Sequence, residues 1–413
     1  MRTTPRILFN VKDHPTLNSG YGIIARYLAP LLAERYGREN VLILAPVYQR
    51  DAVGEYEGMK VLPGITPGFG EEILEEHYNR QSCNILLQLG DTWPLGALPD
   101  MAAQDRVLWV SWCPVDWLGM PKNIINRIRF AHKLVPFSKA GEAQLRQGGL
   151  PNVERAIWLG LNTDLWKPTP RETLPKTMYS LHFRETTFNI LLVGANQERK
   201  RMRQQLEAIQ LFRRTFPQSD PRLYLHTTMK VERDLEADLD ELGLADISAW
   251  PNQYMMVNGG LPEDAMGAIF NCADVVLNCC QEGFGLAHIQ AQACGVPVIY
   301  LTEGAGPELV VSGVGVPPMA VETTRNQMTV AIPNTMGIAR ALEELWKRRV
   351  ERGQPLRSEK SVQFVQDNFS WPKIAEQWFE VIDRVMEDRE KFCYDLPAAS
   401  QELRDQAARM VEL

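Results

Sequence analysis

The chain has 413 residues, of which 45% are hydrophobic and 23% are charged, proportions typical of globular proteins. This length predicts two or three domains rather than one small module, and the composition excludes a disordered, collagenous or coiled-coil protein. Forty-four basic residues against 51 acidic ones give a net charge of −7. The chain as a whole therefore lacks the basic footprint of a polyanion-binding protein.

The sequence shows no membrane or secretion signal. Its longest apolar stretches fall far short of the roughly 20 residues that span a bilayer, and the N-terminus lacks the pattern of a signal peptide. Seven scattered cysteines form no Cys-x-x-Cys pair and have no nearby His at zinc-ligand spacing. These features predict a cytoplasmic protein with reduced, mostly buried thiols and no bound metal.

In the first half of the chain, short aliphatic runs alternate with amphipathic helical patterns. This alternation is typical of parallel sheets built from βαβ units. Strands are predicted at Arg6–Val11, Val41–Val47, Asn84–Leu89, Arg106–Trp112, Lys133–Phe137 and Val153–Leu159. Helices are predicted at Ile23–Tyr36, Glu71–Arg80 and Lys139–Gln147.

The pattern breaks at Lys167–Thr187, where three prolines fall within ten residues, and then restarts. Strands are predicted at Phe188–Gly194, Arg222–Thr228, Asp246–Trp250, Asp274–Asn278 and Val296–Leu301. Helices are predicted at Lys200–Arg214, Val231–Leu242, Pro262–Cys272 and Leu286–Cys294, and the last 80 residues or so are mainly helical.

The fold class is therefore α/β, with two doubly wound, Rossmann-like domains of similar size. Their predicted bounds are 1–170 for the first domain, 171–187 for a linker and 188–370 for the second domain. The helices of 371–413 are expected to pack back on the first domain. Ligands of open parallel sheets bind beyond the carboxyl ends of the strands, and the cleft between two such domains is the default site.

Two segments at strand ends carry residues suited to an anion. Gly20, Tyr21 and Gly22 follow the first strand, and glycines there let the backbone approach a ligand, although a loop-and-cap role explains the same residues. Gly194 ends a strand and leads to Arg199 and Lys200. These cations lie where a diphosphate would bind, unless they form an ordinary solvated face.

Two further segments carry carboxylates. Glu282 precedes a Gly-Phe-Gly turn and is predicted to lie over a helix entrance, with Gln290 two turns later. These groups suit a sugar and a ribose, although a Gly-rich turn with a capping acid would have the same sequence. Asp116 follows the strand that ends at Trp112 and would bring a carboxylate to the first domain's side of the cleft, or would simply form a turn.

These segments occur in an order that resembles the family 4 glycosyltransferases. The stretch from Glu282 to Ile299, preceded by Asn-Cys-Ala-Asp-Val-Val and followed by Gly306-Pro-Glu-Leu-Val, resembles the signature of that family. Gly160-Leu-Asn-Thr-Asp-Leu-Trp-Lys-Pro resembles the segment that closes its first domain. Gly194 to Arg201 resembles its phosphate loop, and Ser19-Gly-Tyr-Gly resembles its N-terminal glycine loop.

The resemblance implies the glycosyltransferase B fold and retaining, metal-independent transfer of a hexose from a nucleotide-diphosphate sugar, with no cofactor. Arg199 and Lys200 would neutralise the diphosphate, and Glu282 would bind donor-sugar hydroxyls. Gly20 and Gly22 would let the first domain close on the donor. The other implied substrate-binding residues are Tyr21, Gly194, Asn196, Gly283, Phe284, Gly285, Leu286 and Gln290.

Two positions depart from the family pattern. Gln290 stands where a second Glu usually binds the ribose, and Trp112, Cys113 and Asp116 stand where the first domain often has a His. Asp116 is accordingly predicted to be a catalytic or acceptor-orienting residue. His288 is predicted to pack within its helix.

The expected acceptor is a hydroxyl of a glycan or a lipid-linked precursor. A hydroxylated base in DNA, as in phage enzymes, is the alternative, and the basic stretch Ile124–Lys133 is the candidate contact for a membrane surface or for DNA. A protein that binds sugar nucleotides without turnover is an alternative of another class. It is motivated by Gln290 and the missing His.

Overall fold

The computed structural model describes residues 4–46, 54–65, 68–92, 94–174, 183–184, 186–324 and 327–388. Contacts between residues divide the chain into two compact units. The described residues of the first unit fall within Met1–Pro114, Met120–Leu159 and Trp371–Leu413. Those of the second unit fall within Val115–Gly119 and Gly160–Ser370, so the short segment around Asp116 is grouped with the second unit.

The first unit is built on a seven-stranded sheet in the order β3-β4-β2-β1-β5-β6-β7. Its strands are β1 (Ile7–Val11), β2 (Val41–Leu44), β3 (Gly54–Tyr56), β4 (Met59–Leu62), β5 (Ile85–Leu89), β6 (Trp109–Cys113) and β7 (Lys133–Pro136). All neighbouring strands pair in parallel except β3 and β4. Its helices are Gly20–Tyr36, Glu71–Arg80, Leu98–Ala103, Lys122–Ile128, Lys139–Gln147 and 371–388.

The second unit is built on a six-stranded, all-parallel sheet in the order β10-β9-β8-β11-β12-β13. Its strands are β8 (Phe188–Val193), β9 (Pro221–His226), β10 (Ser248–Ala249), β11 (Val275–Asn278), β12 (Val298–Leu301) and β13 (Gly313–Val316). A separate antiparallel hairpin follows, with β14 (Pro318–Thr323) and β15 (Thr329–Pro333). The helices are Met202–Thr215, Leu235–Glu241, Gln253–Val257, Glu263–Cys272, Leu286–Ala293, Gly306–Leu309, Thr335–Val350 and Glu359–Asn368.

Alternating side chains of the parallel strands form the core of the second unit. Strand β8 contributes Phe188, Ile190 and Leu192 to one face of its sheet, and all three are at most 1% exposed. The Met202–Thr215 and Thr335–Val350 helices cover that face with aliphatic and aromatic side chains. Burial of each large apolar side chain contributes about 1.5–3 kcal/mol, so this layer fixes where the carboxyl ends of the strands lie.

The α/β prediction is confirmed, and most predicted strands and helices occur within two or three residues of their expected bounds. The first helix begins at Gly20 rather than Ile23, because the Ser19 hydroxyl caps it by accepting from the Gly22 amide at 3.1 Å. The β3–β4 pair, β13 and the β14–β15 hairpin were not predicted.

The prediction of a strand at Val153–Leu159 is wrong. Only Val153 forms a bridge, to Leu134 of β7. The Ala156 amide donates to the Glu142 carboxylate at 2.8 Å instead of to the sheet. Pro136 of β7 has no N–H to donate, and its carbonyl accepts from the Ile157 amide at 3.1 Å rather than from the Ala156 amide, so the bridge at Val153 does not extend into a regular ladder.

The predicted linker is described only in part, because residues 175–182 and 185 lie outside the described residues. The preceding stretch is bound to the second unit. The Thr169 amide donates to Asn271 Oδ1 at 2.9 Å, and the Arg171 guanidinium donates to Asp274 Oδ1 at 2.8 Å. Within the described part of the chain, no helix has the length and apolar character needed to cross a bilayer.

Candidate active site

A run of basic residues follows β8 in the second unit. Glu198–Lys200 forms one 3₁₀ turn, and Arg201 adopts a left-handed conformation with φ +50° before the Met202–Thr215 helix begins. A left-handed residue reverses the local chain direction, so consecutive side chains point to different neighbours. The turn thus distributes the basic side chains instead of presenting them as one face.

Four charged side chains predicted from the sequence come together in this unit. Lys200 Nζ forms an ion pair with Glu282 Oε1. Arg199 Nη1 lies 2.9 Å from Asp116 Oδ2 and 3.9 Å from Glu282 Oε2. The Lys200 side chain is 12% exposed and that of Arg199 is 37% exposed, so Arg199 is the more accessible cation. We call these four residues the ionic cluster.

Glu282 is a buried carboxylate held by its surroundings. Its carbonyl accepts from the Ala305 amide at 3.1 Å, and Glu282 bridges to Gly304. Burial alone would raise the pKa of Glu282, but the charges of Lys200 and Arg199 outweigh burial and lower this pKa to about 2. At neutral pH the carboxylate is therefore ionised and can only accept hydrogen bonds.

The turn after Glu282 leads into the Leu286–Ala293 helix. Gly285 has φ +97°, and a Cβ at this position would lie 2.5 Å from His288 Nδ1. Both the backbone conformation and the lack of space therefore require glycine. The N-cap residue Gly285 has no side chain to cap this helix, and the first turn contains no acidic residue. Backbone amides at the helix start are consequently open to an anion or a hydroxyl. Phe284 is buried beside Phe369, with ring centroids 6.2 Å apart.

Two buried side chains pack behind the carboxylate. His288 lies within 3.3 Å of the Asn278 carbonyl through Nε2 and packs edge-on against Tyr300. Burial lowers the pKa of His288, so the ring is neutral. Cys280 Sγ lies 3.5 Å from Glu282 Oε1, and burial raises the pKa of the thiol to about 12. Both side chains therefore surround Glu282 without carrying charge of their own.

Gly194 and Asn196, both predicted to bind substrate, lie in the loop after β8. The Gly194 amide donates to the His226 carbonyl at 3.3 Å, and among the described residues a Cβ on Gly194 would meet only Met202 Cε, at 3.6 Å. The Asn196 amide group donates to the Thr228, Met229 and Arg233 carbonyls at 2.7–3.2 Å. Asn196 thus fixes the loop after β9.

The remaining predicted residues lie in two places. Gln290 is half-buried on the second turn of the Leu286–Ala293 helix. Gly20, Tyr21 and Gly22 lie in the first unit, on the first turn of the Gly20–Tyr36 helix. The Tyr21 hydroxyl donates to Asp91 Oδ2 at 3.4 Å. A Cβ on Gly22 would lie 2.5 Å from the Leu17 carbonyl, so close packing by itself accounts for this glycine.

Sequence reasoning missed a residue that positions the turn of Arg199, Lys200 and Arg201, which we call the basic turn. Gln205 is 2% exposed, and its amide donates to the Lys200 carbonyl at 2.8 Å while its oxygen accepts from the Cys279 amide at 3.0 Å. It thereby joins the basic turn to the end of β11. The sequence gives no sign of this role, because both hydrogen-bond partners of Gln205 are main-chain groups and Cys279 lies far away along the chain.

The described residues contain no group of three or more His, Cys, Asp or Glu side chains arranged to hold a metal ion. Six cysteines, all but Cys393, lie in the described ranges, and each of the six is a buried, free thiol.

Comparisons with known proteins find a protein family and solved structures that match this chain. The family model described as Glycosyl transferases group 1 matches residues 187–348, which lie within the second unit. No curated protein sequence gives a significant match.

Solved structures match almost the whole chain. Sucrose-phosphate synthase from Thermosynechococcus elongatus is 16% identical, with a TM-score of 0.71 over 94% of this chain and 100% of that chain. HepE of Anabaena, solved with UDP and glucose, is 14% identical, with a TM-score of 0.65 over 92% and 100%. The catalytic domain of starch synthase IV from Arabidopsis thaliana, bound to ADP and acarbose, is 14% identical, with a TM-score of 0.61 over 93% and 100%.

The chain has the glycosyltransferase B fold. Both of its units are Rossmann-like, and residues from Trp371 onward that the structure describes are grouped with the first unit. Fold similarity at these identities does not transfer an activity, so the function has to be argued from the site itself.

Proposed function

We propose that the protein is a cytoplasmic, retaining glycosyltransferase of family 4 that moves a hexose from a nucleotide-diphosphate sugar to a hydroxyl acceptor without a metal ion. One observation carries the proposal: Lys200 pairs with Glu282 beside Arg199, at the carboxyl ends of β8 and β11. This arrangement lies within the segment that matches the glycosyltransferase family model.

The cations of the cluster would bind the diphosphate. Arg199 is more than one-third exposed and offers several N–H donors, so it can meet phosphate oxygens in a forked geometry. Lys200 is nearly buried and would act as a fixed positive charge beside the leaving group. Preorganised positive charge stabilises the negative charge that develops on the leaving diphosphate, which is the role of a metal in other transferases.

The carboxylate and the helix start would hold the sugar. Glu282 is ionised, so its oxygens accept hydrogen bonds from donor-sugar hydroxyls. The amides around Phe284, Gly285 and Leu286 would donate to the sugar or to the phosphate, because the N-cap residue Gly285 has no side chain to occupy them. Gln290, four residues into the helix, would reach the ribose with a neutral amide in place of a carboxylate.

The chemical step would be attack by the acceptor hydroxyl on the same face that the diphosphate leaves. A bond forms between the acceptor oxygen and the anomeric carbon, and the bond from that carbon to the diphosphate oxygen breaks. The hydroxyl proton passes to the departing phosphate. Asp116, next to Arg199, would orient the acceptor hydroxyl by accepting a hydrogen bond from it.

The acceptor that we propose is a glycan or lipid-linked hydroxyl. If the acceptor were a DNA base, the basic stretch Ile124–Lys133 would be the candidate contact, but two of its cations pair within the first unit. Arg127 donates to the Gly96 carbonyl at 2.7 Å, and Lys133 pairs with Glu154 at 3.1 Å. These pairs give no support to binding of nucleic acid or of a membrane by this stretch.

The decisive experiment measures nucleotide release from UDP-, GDP-, ADP- and TDP-sugars without an acceptor. The UDP and ADP sugars come first, because the HepE and starch synthase IV structures contain those nucleotides. One donor should be hydrolysed slowly, and the Lys200→Ala and Glu282→Ala variants should each lose about a hundredfold in rate. Arg213→Ala is the matched control, because it removes a cation of the Met202–Thr215 helix that pairs with Asp246, away from the ionic cluster.

A protein that binds sugar nucleotides without turnover would give a different result. Calorimetry would then detect nucleotide binding that Lys200→Ala weakens, with no nucleotide released from any sugar. Absence of both binding and release would contradict the assignment of the site. Where turnover is found, NMR of the product should show the anomeric configuration of the donor, and an inverted product would exclude the retaining mechanism.

A further inference from the structure

The β14–β15 hairpin is a small structure apart from the six-stranded sheet of the second unit. Its strands pair antiparallel, with Val321 opposite Ala331 and Thr323 opposite Thr329. The tip residues Arg325 and Asn326 lie outside the described residues. An isolated two-stranded hairpin is marginally stable, so its contacts with the rest of the unit hold it in place.

One edge of β15 binds the two segments that carry the carboxylates of the ionic cluster. The Leu118 amide, two residues after Asp116, donates to the Thr329 carbonyl at 2.7 Å. The Ala331 amide donates to Gln281 Oε1 at 2.9 Å, immediately before Glu282. The C=O of one strand residue and the N–H two positions later point to the same side, so both segments meet a single strand edge.

The other strand of the hairpin reaches the basic turn. Glu322 of β14 forms an ion pair with Arg201, the residue that follows Lys200. The Arg201 side chain is only 9% exposed, and its backbone is left-handed, which is unfavourable for a residue with a Cβ. Contacts outside the turn must therefore hold this conformation, and the carboxylate of Glu322 supplies one of them.

Three consecutive cations thus pair with carboxylates from three different segments, one of which is the hairpin itself. The hairpin also contacts the basic turn and the two segments that carry Asp116 and Glu282. The pairs are Arg199 with Asp116, Lys200 with Glu282, and Arg201 with Glu322. Gln281, which accepts a hydrogen bond from the Ala331 amide, is only 3% exposed, so this contact of the hairpin is buried.

We propose that the β14–β15 hairpin positions the ionic cluster, and that Glu322 is a positioning residue for transfer. This inference rests on the proposed function. The hairpin fixes the spacing between the cations of the basic turn and the carboxylates of Asp116 and Glu282. Glu322 acts through Arg201 and contacts no substrate, so its loss displaces the cluster without removing a binding group.

The test compares Glu322→Gln with Glu322→Asp, which keeps the charge, and with Glu344→Gln. Glu344 is an exposed residue on the Thr335–Val350 helix, so that variant removes the same charge from elsewhere on the second unit. In Glu322→Gln we expect kcat for donor hydrolysis to fall about tenfold with KM nearly unchanged, because a small displacement of catalytic groups slows the chemical step. Glu322→Asp should recover much of the rate, and Glu344→Gln should match the wild type.

Hydrogen exchange of the full chain provides a readout that needs no turnover. Amides of 115–119 and 198–201 should exchange at least about threefold faster in Glu322→Gln than in Glu344→Gln, because their shared support is weakened. Equal exchange in the two variants overturns the positioning role, whatever the activity. Faster exchange with an unchanged kcat overturns it as well. A wild type without turnover contradicts the proposed function instead, and the hairpin is then judged by exchange alone.

Discussion

Arg199 Nη1 lies 2.9 Å from the Asp116 carboxylate in an ion pair, so the more accessible of the two cations proposed to bind phosphate already has an anionic partner. Lys200 is likewise paired with Glu282. Two cations and two carboxylates give the ionic cluster a net charge of zero. A diphosphate that binds Arg199 must therefore share the guanidinium with Asp116 or displace it.

Replacing Asp116 with Asn should change binding and turnover in opposite directions. The cluster gains a net positive charge, so calorimetry should show nucleoside diphosphate binding about two- to fivefold tighter, the range expected for a partly exposed pair. Donor transfer should slow, because the group proposed to orient the acceptor has lost its charge.

The control for this change is Asp246→Asn, which removes a carboxylate that pairs with Arg213, another arginine of the second unit. It should leave nucleotide affinity unchanged. Weaker binding in Asp116→Asn would mean that Asp116 holds Arg199 in its binding conformation instead of competing with the ligand.

The pH dependence of stability should report the buried carboxylate. The pKa of Glu282 is about 2 in the folded protein and about 4.5 for an ordinary Glu. Its depressed pKa contributes stability that is fully present above pH 4.5 and is lost as the pH falls toward 2, in total on the order of 3 kcal/mol. Glu282→Gln should therefore have a free energy of unfolding that falls less steeply below pH 4.5.

Urea unfolding of wild type and Glu282→Gln at pH 7, 4.5, 3.5 and 3 measures this difference. The gap between the two proteins should narrow as the pH falls. Glu344→Gln is the matched control, since its exposed carboxylate should leave the wild-type pH profile in place. A constant gap across this range would mean that Lys200 and Arg199 do not stabilise the Glu282 carboxylate.

The sequence predicted the parallel sheets and the residues at their carboxyl ends because both depend on local pattern. Strand β8, the basic turn and the turn at Glu282 are each visible within ten residues. The pairing of Asp116 with Arg199 was not predictable, because it joins positions 83 apart in the chain. Pairing of distant residues depends on tertiary packing, which one sequence does not show.

Polar side chains that take the place of backbone hydrogen-bond partners account for two other failures. The Glu142 carboxylate accepts a hydrogen bond from the Ala156 amide, so the strand predicted at Val153–Leu159 does not form. The Gln281 side chain accepts a hydrogen bond from the Ala331 amide and so helps to hold the β14–β15 hairpin, which was not predicted. Neither polar side chain differs in sequence from an ordinary surface residue.

Gly194 provides a test of close backbone approach to the ligand. Within the part of the chain that the structure describes, a Cβ there would meet only Met202 Cε at 3.6 Å, an ordinary contact. Gly194→Ala should therefore change the free energy of unfolding by less than about 0.5 kcal/mol. If the backbone lies against the diphosphate, calorimetry should nevertheless show about tenfold weaker nucleotide binding. The control is Gly267→Ala, on the Glu263–Cys272 helix. Wild-type affinity in Gly194→Ala would remove Gly194 from the binding site.

Gly285 and His288 should be coupled in stability. A Cβ on Gly285 would lie 2.5 Å from His288 Nδ1 at φ +97°, so Gly285→Ala should lower the free energy of unfolding by about 1–3 kcal/mol. It should also weaken nucleotide binding, because the turn that carries the open amides is distorted. In the double variant with His288→Ala, the steric clash is gone and only the backbone cost of Ala at this φ remains. Denaturant unfolding of the wild type, the two single variants and the double variant measures this. The double variant should lose less free energy of unfolding than the two single variants lose together. Additive losses within about 0.5 kcal/mol would mean that the backbone conformation alone requires glycine at this turn.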